Sequence, residues 1–409
     1  MSRTGDYHVF APTDADGTVV DDHAVAVTLN ANDVNVVRWL ADDEKGLIAG
    51  TVGGEWLIRP SSLGEAITPA NIQASRSTNF GSAAIAPVRI GKAILYVQRA
   101  RRRLREHAFV FEDDGFRSPD VSLLATHLPP PGIVEMAFQQ EPDSLVWLVR
   151  ADGRLLGLTY AREQEVVGWH IHALGGFSDA GRTEPAAVES VACIPAPDGG
   201  RDELWLAVRR HIDGATVRTI EVMAAPLADD EPAADAFYVD CGASYRGAPA
   251  TAIAGLAHLE GETVAVLADG ATHPPRVVTD GAIALERAAS TVHVGLAYAS
   301  VLETMNLEAG SATGTAQGKT KRLHRCAIRL HRSLGLAAGP AEGALDPVAP
   351  TQFRLPSTPM GTAPALFTGD ADIAWPGGYE TAGRVRIECR DPLPATVVAV
   401  MPQVVTQDR

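Results

Sequence analysis

Apolar and polar residues alternate with a period of two along most of the chain, and turn-forming residues break the alternation every few positions. Residues Ser144–His172 show the pattern. SLVWLVR runs outward and Ala151-Asp152-Gly153 reverses it; RLLGLTYA runs back, Glu163-Gln164-Glu165 reverses it again, and VVGWHIH runs outward. Period two places alternate side chains on opposite faces of a strand, so the stretch predicts a meander of three short strands. Apolar residues at helical spacing with capping residues are almost absent, which predicts an all-β chain.

Five segments share one layout: an outer strand, a turn, a strongly apolar central strand, and one or two return strands. They are Val34–Pro60, Pro87–Phe111, Ile133–Ala173, Val188–Met223 and Thr251–Leu285. Their central strands begin near Leu47, Ala93, Leu145, Leu204 and Val264, at spacings of 46, 52, 59 and 60 residues. Such spacings match the blades of a β-propeller, each a small antiparallel sheet. One such sheet leaves two apolar faces bare, and stacking sheets face to face buries both. A pair of β-sandwiches is the alternative. Loops rich in Pro, Gly and Asp separate the segments: LPPPG at Leu128–Gly132, APDGGRD at Ala196–Asp202 and LADDEPAA at Leu227–Ala234.

Beyond about residue 290 the pattern changes. Thr291–Met305 reads as one apolar strand, Leu307–Gly318 as a small-residue loop, Leu323–Leu330 as a basic alternating strand, and Gly335–Pro364 as a connector. Val385–Cys389 and Thr396–Met401 read as two last strands. The expected organisation is therefore an N-terminal extension (1–30) that completes the fold or contacts a partner, a β-propeller with about five visible blades (31–290), and a smaller β platform domain (291–409).

The formal net charge of −15 argues against a general nucleic-acid binder, whose affinity comes largely from Lys and Arg on phosphates. Two local stripes run against that background: Gln98–His107 with five arginines, and Gly318–Gly335 with six Lys/Arg and no acid. The four cysteines (Cys193, Cys241, Cys326 and Cys389) form no Cys-x-x-Cys pair, so buried, reduced thiols are expected rather than a zinc site or disulfide framework. The start, MSRTGDYHVFAP, lacks an apolar signal-peptide core, and no run of 18 apolar residues predicts a transmembrane helix.

Chemistry-bearing motifs are sparse. His170 and His172 share a strand face and could hold a metal, but no third ligand stands at suitable spacing, so cross-strand packing is the plainer reading. Abundant Asp and Glu leave a glycosidase carboxylate pair open, and with it a propeller enzyme acting on polysaccharide; a propeller that binds other proteins is a further reading. Gly-x-Ser-x-Gly, the P-loop and His-Glu-x-x-His are absent, and no catalytic residue, metal or cofactor is expected. Arg101, Arg102 and Arg103 lie on a hairpin turn, as rim contacts with a neighbour or, alternatively, with phosphate. On the second stripe a strand would put His324, Cys326, Ile328 and Leu330 on one face, and Arg325, Ala327 and Arg329 on the other. Lys321, Arg325 and Arg329 are the candidate basic row, facing either carboxylates of another subunit or DNA. Gly310, Gly314 and Gly318 mark a candidate mobile loop.

Several phrases together resemble one family: VVRWLADDEKGLIAGTVGGEWLIRP, ITPANIQASRSTNFGSAAIAPVRIGKAILYVQR, SPDVSLLATHL, the Ile133–His172 stretch, and PALFTGDADIAWPGGY followed by DPLPATVVAVMPQ. The chain resembles the tail nozzle proteins of short-tailed bacteriophages, also called tail tubular protein B, with the related packaged-DNA stabilisation proteins, from about Asn32 to Val405. The resemblance implies a virion tail protein, made in the host cytoplasm and assembled as a homohexameric ring. The ring would enclose and gate the channel for double-stranded DNA and join a head-to-tail adaptor protein to tail fibres or spikes, without enzymatic activity. Family members usually carry a segment ahead of the point where Met1 sits, so the resemblance leaves three alternatives: a second chain supplies the missing N-terminal part, the gene is split, or this propeller closes differently.

Overall fold

The computed structural model describes residues 1–409 apart from 32–34, 63, 309–313, 353–358, 360, 376 and 408–409. The chain is all-β; among the described residues the α-helix content is one turn, Ala349–Gln352. The first sheet holds β1 (Val37–Asp43), β2 (Gly46–Thr51), β3 (Glu55–Pro60) and β4 (Ile72–Thr78), antiparallel in chain order. The second repeats that topology with β5 (Val88–Ile90), β6 (Ala93–Val97), β7 (Leu104–Val110) and β8 (Gly115–Arg117). The third does so with β9 (Ile133–Gln139), β10 (Leu145–Arg150), β11 (Leu155–Ala161) and β12 (Val166–His172). A three-stranded sheet follows: β13 (Ala187–Pro195), β14 (Asp202–Ile212) and β15 (Ala215–Val222).

The fifth sheet departs from the meander. Its strands are β16 (Asp240–Ala254), β17 (Thr263–Ala268), β18 (Ala271–Val277) and β19 (Ala282–Leu296), in the order β16-β19-β17-β18. β16 and β19 form a long antiparallel pair with several register shifts, starting before and ending after the expected Thr251–Leu285 segment. β19 runs through residue 290. The expected strand Thr291–Met305 is divided: its first part ends β19, where Val292, Val294 and Leu296 are buried, and its second part is exposed β20 (Ser300–Glu303) in another sheet.

The remaining strands are β21 (Thr320–Ser333), β22 (Leu336–Pro340), β23 (Asp346–Pro347), β24 (Phe367–Ala374), β25 (Tyr379–Glu380), β26 (Val385–Cys389) and β27 (Thr396–Gln407). They form two sheets: β20-β26-β22-β23, and β24-β21-β25 with β27 along the other side of β21. Among the described residues no sheet closes on itself.

The chain divides into two compact units, Met1–His172 with Val188–Ala207, and Ala173–Ala187 with Val208–Arg409. In the first unit β6 is buried throughout, and its alternate side chains enter different cores. Ile94 and Tyr96 pack with Trp39, Ile48 and Leu57 of the first sheet. Leu95 and Val97 pack with Val146, Leu148, Leu156 and Leu158 of the third. The second sheet is thus sandwiched between its sequence neighbours, which explains a central strand with no polar face.

One backbone hydrogen bond recurs at each step of the stack. The end or turn of the second hairpin accepts from the chain entering the next sheet: Ser82 N to Thr51 O (2.7 Å), Ile133 N to Arg101 O (2.8 Å), and Val188 N to Gly153 O (2.8 Å). The Asp152-Gly153 turn that sequence alone marks is one of these donor–acceptor points, with Gly153 at φ 82°.

In the second unit, Leu256, Val264, Val266, Val292 and Val294 belong to the core of the fifth sheet. Cys326, Ile328 and Leu330 of β21 and Ile373 of β24 face Leu336, Val385 and Ile387 of the opposing sheet, making a two-layer sandwich.

Candidate functional site

β21 is the central strand of its sheet, bonded to β24 and β25 on one side and β27 on the other. Its inward residues are Lys321 and Leu323, then Cys326, Ile328 and Leu330. The switch from odd to even positions occurs at a bulge: Leu323 pairs with Val404 and Arg325 with Gln403, leaving His324 as the extra residue. Two sequence expectations are corrected by this bulge. His324 is exposed and does not share the packed face of Cys326. Lys321 is buried on the core side, donates from Nζ to Thr381 O at 2.6 Å, and does not belong to an outward row with Arg325 and Arg329.

Arg325 and Arg329 do share the outer face, as expected, but they do not present bare charge. Across the strand pair Ala327 lies opposite Asp372, and Arg329 opposite Asp370. Arg325 reaches Asp372 through Nε (3.0 Å) and Nη2, and Arg329 forks onto Asp370 at 2.7 and 2.9 Å. The row is a ladder of bidentate cross-strand ion pairs. The acids that neutralise it come from this chain, two residues apart in FTGDADIA, a signal readable in the sequence once β24 is placed beside β21. Asp370 is held below the usual carboxylate range by its hydrogen bond to Arg329. The same sheet ends in β27, which has no strand on its far side among the described residues. It exposes Val398, Met401 and Val405.

The hairpin arginines separate into two groups. Arg103 pairs with Asp120, whose other oxygen accepts from Ser122 N and Oγ at 2.9 and 2.6 Å. Arg105, also in the run, is buried over the Phe80 ring at 3.5 Å and donates to Gln98 (2.9 Å) and the Ser118 carbonyl (2.6 Å). Arg101 and Arg102 are exposed at the turn, with no side-chain partner among the described residues.

Of the candidate loop, Gly310 lies outside the described residues. Gly314 and Gly318 adopt positive φ (98° and 76°). Between them the chain is pinned: Glu308 accepts from Thr315 Oγ1 and Ala316 N, both at 2.7 Å, and Ala316 is fully buried.

Buried polar groups supply the remaining chemistry. His170 and His172 hydrogen-bond each other (Nδ1 to Nε2, 2.8 Å) beside Trp147, and burial pushes His172 down to about 4. Among the described residues no group of three or more His, Cys, Asp or Glu is placed to hold a metal ion. Burial pushes the Cys193 thiol up to about 12 and Cys241 to about 11, which leaves both unreactive near neutrality. Sequence reasoning missed a cluster around Gly175. Arg210, almost wholly buried, donates from Nε to Gly175 O at 2.8 Å and pairs with Glu221. Asp240 accepts from Gly175 N at 2.6 Å, and its burial raises it to about 6. Both carboxyls are engaged by groups of their own unit, so the cluster clamps the loop around Gly175 onto β14, β15 and β16.

No family model matches this chain, and no curated protein matches it.

Proposed function

We propose that this chain is a structural virion protein, a nozzle-type subunit of a short-tailed phage. Its stacked sheets are blades of a β-propeller, its C-terminal sandwich is the platform, and a homohexamer of such subunits rings the exit channel for double-stranded DNA. The adaptor ring lies above it and fibres or spikes beside it. The subunit is made in the host cytoplasm and resides in the tail.

The observation that carries the reading is the recurrent link between sheets. The same backbone bond joins the second hairpin of one sheet to the entrance of the next at three successive steps. A link repeated at three steps, with both faces of the middle sheet buried, supports a radial array of blades. The order of the family-like phrases along nearly the whole chain adds to it. Two further features fit a ring. β27 is a long edge strand without charged residues, an arrangement that favours pairing with another copy. The net charge of −15 per subunit keeps a channel wall from trapping a polyanion.

Negative-stain imaging of the purified chain, alone and mixed with the products of its neighbouring genes, tests the proposal. Six-fold rings seated on a tail are the expected result. A persistent monomer in the presence of those partners refutes it.

A further inference from the structure

Several arginines of the first unit are tied to carboxylates: Arg89 to Asp42, Arg103 to Asp120, Arg150 to Asp152 and Arg162 to Glu106. Arg38, Arg99 and Arg101 are different. Among the described residues none of their side chains has an ion pair, a hydrogen bond or a ring partner, and all three line one pocket of about 440 Å3. Val52, Ser82 and Ala84 contribute to its wall, and among the described residues no carboxylate lines it. Behind Ser82 of the wall lies Glu55, which is sealed from solvent. Its carboxyl accepts from Ser82 Oγ at 2.9 Å and from Thr78 Oγ1 at 2.5 Å.

Topology explains the convergence. Arg38 stands at the start of the first sheet, Val52 in the turn of its second hairpin, Ser82 and Ala84 in the entrance to the second sheet, and Arg99 and Arg101 in the turn of that sheet's second hairpin. In antiparallel meanders these points all fall at the same end of the strands. The backbone under the arginines is fixed from both sides. Arg99 N donates to Gly81 O (3.0 Å), Arg101 N donates to Gln98 O (2.7 Å), and Arg101 O accepts from Ile133 N (2.8 Å). Arg101 has φ 60°, and its carbonyl serves the link between the second and third sheets.

We propose that this pocket is a binding site for phosphate oxyanions. Three arginines without partners among the described residues line one pocket, and a ligand with several negative charges complements them. One carboxylate offsets a single charge; consecutive phosphates offset all three, and their oxygens match the planar donor fork of arginine. The phosphates come either from a nucleic-acid backbone or from a free oligophosphate. The site stands on its own geometry and holds whether or not the chain forms a ring.

The test uses the full chain, with a labelled short DNA duplex in one arm and inorganic triphosphate in the other, each titrated at several salt concentrations. The variants are Arg38→Gln/Arg99→Gln/Arg101→Gln and, as a control of equal charge loss, Arg117→Gln/Arg325→Gln/Arg329→Gln, whose arginines are already paired. The pocket variant is expected to lose at least about tenfold in affinity while the control keeps most of it. If the source is a DNA backbone, the salt slope falls by roughly 0.9 for each lost phosphate contact. Stoichiometric binding of triphosphate alone, abolished in the pocket variant, assigns the site to a free phosphate ligand. Unfolding curves of the variants confirm that these exposed substitutions leave the fold intact. The proposal is overturned if the wild-type chain binds neither probe, or if pocket and control variants weaken binding equally.

Discussion

Asp240 offers the sharpest test of the second unit's energetics. Its carboxyl is buried, accepts one hydrogen bond from Gly175 N at 2.6 Å, and lies near Arg210, which is already engaged by Glu221 and the Gly175 carbonyl. Desolvation is the main cause of its rise from 3.8 to about 6; the Gly175 bond and Arg210 oppose it, and Glu221 adds to it. The folded chain therefore holds this proton more tightly than the unfolded chain. Below pH 3.8 both states are protonated and the group contributes nothing. Between pH 3.8 and 6 the unfolded state gives up its proton first, so stability falls as pH rises, and above 6 the full penalty is in place. A rise of this size corresponds to about 3 kcal/mol. Asp240→Asn keeps an acceptor for Gly175 N and removes the charge. It is expected to stabilise the second unit at pH 8 by between about 1 and 3 kcal/mol and to flatten its stability between pH 4 and 6. Hydrogen exchange of β16 and β19 amides, measured at pH 4.5, 6 and 8 and corrected for intrinsic rate, reads that unit directly. A variant less stable than wild type at pH 8, or one that retains the wild-type slope, refutes the reasoning.

Other outcomes follow from single contacts. In β11, Gly157 lies directly opposite His170, and a Cβ there would sit 2.0 Å from the imidazole ring; Gly157→Ala is expected to destabilise the first unit by about 2 kcal/mol in urea unfolding. His107 and His172, both pushed by burial from 6.5 to about 4, contribute stability that is complete above pH 6.5 and is lost as pH falls towards 4; thermal unfolding across that range is expected to show the loss, and His172→Gln to reduce it. Reversing one rung of the ladder with Arg329→Asp is expected to lower thermal stability most at low salt, and adding Asp370→Arg to restore it, since the pair is exposed and screened. Val398→Lys with Val405→Lys places charge along the β27 edge and is expected to abolish the proposed ring assembly, read by light scattering, while far-UV circular dichroism stays unchanged.

The sequence discloses strands best where large apolar residues alternate and a glycine marks the turn. LVWLVR, DG and LLGLTYA are found where alternation puts them, as β10, a turn and β11, because Val146 and Leu148 and then Leu156 and Leu158 are core residues whose burial requires that register. β4 gives little signal because IQASRST carries one large apolar residue, and it is an outer strand with little to bury. β16 and β19 extend beyond the alternation for a related reason: runs such as GAPATA and RAAST carry small side chains that give no period-two signal, yet backbone pairing holds the strands together through several register shifts. In both cases hydrogen bonding, rather than side-chain burial, maintains the strand, and hydropathy does not record it.

The basic residues show why net charge is a poor guide to the site. Taken together, a −15 chain repels a polyanion, and taken singly, Arg325 and Arg329 suggest contact with one. Neither scale decides the outcome, because what a ligand meets is the charge left after local pairing. The arginine row is cancelled by Asp370 and Asp372 from the adjacent strand. The hairpin run is half consumed by Asp120, Phe80 and Ser118. Among the described residues what survives is Arg99, Arg101 and Arg102, and the first two line one pocket with Arg38 from a different sheet. Arg38 carries no sign of this in its own neighbourhood, VVRWLADD, where two acids follow closely. Its role depends on the stacking of the first sheet on the second, set by Trp39, Ile48, Ile94 and Tyr96 in the core. The packing that buries both faces of β6 is thus also what brings an unpaired cation from one sheet to the turn of the next.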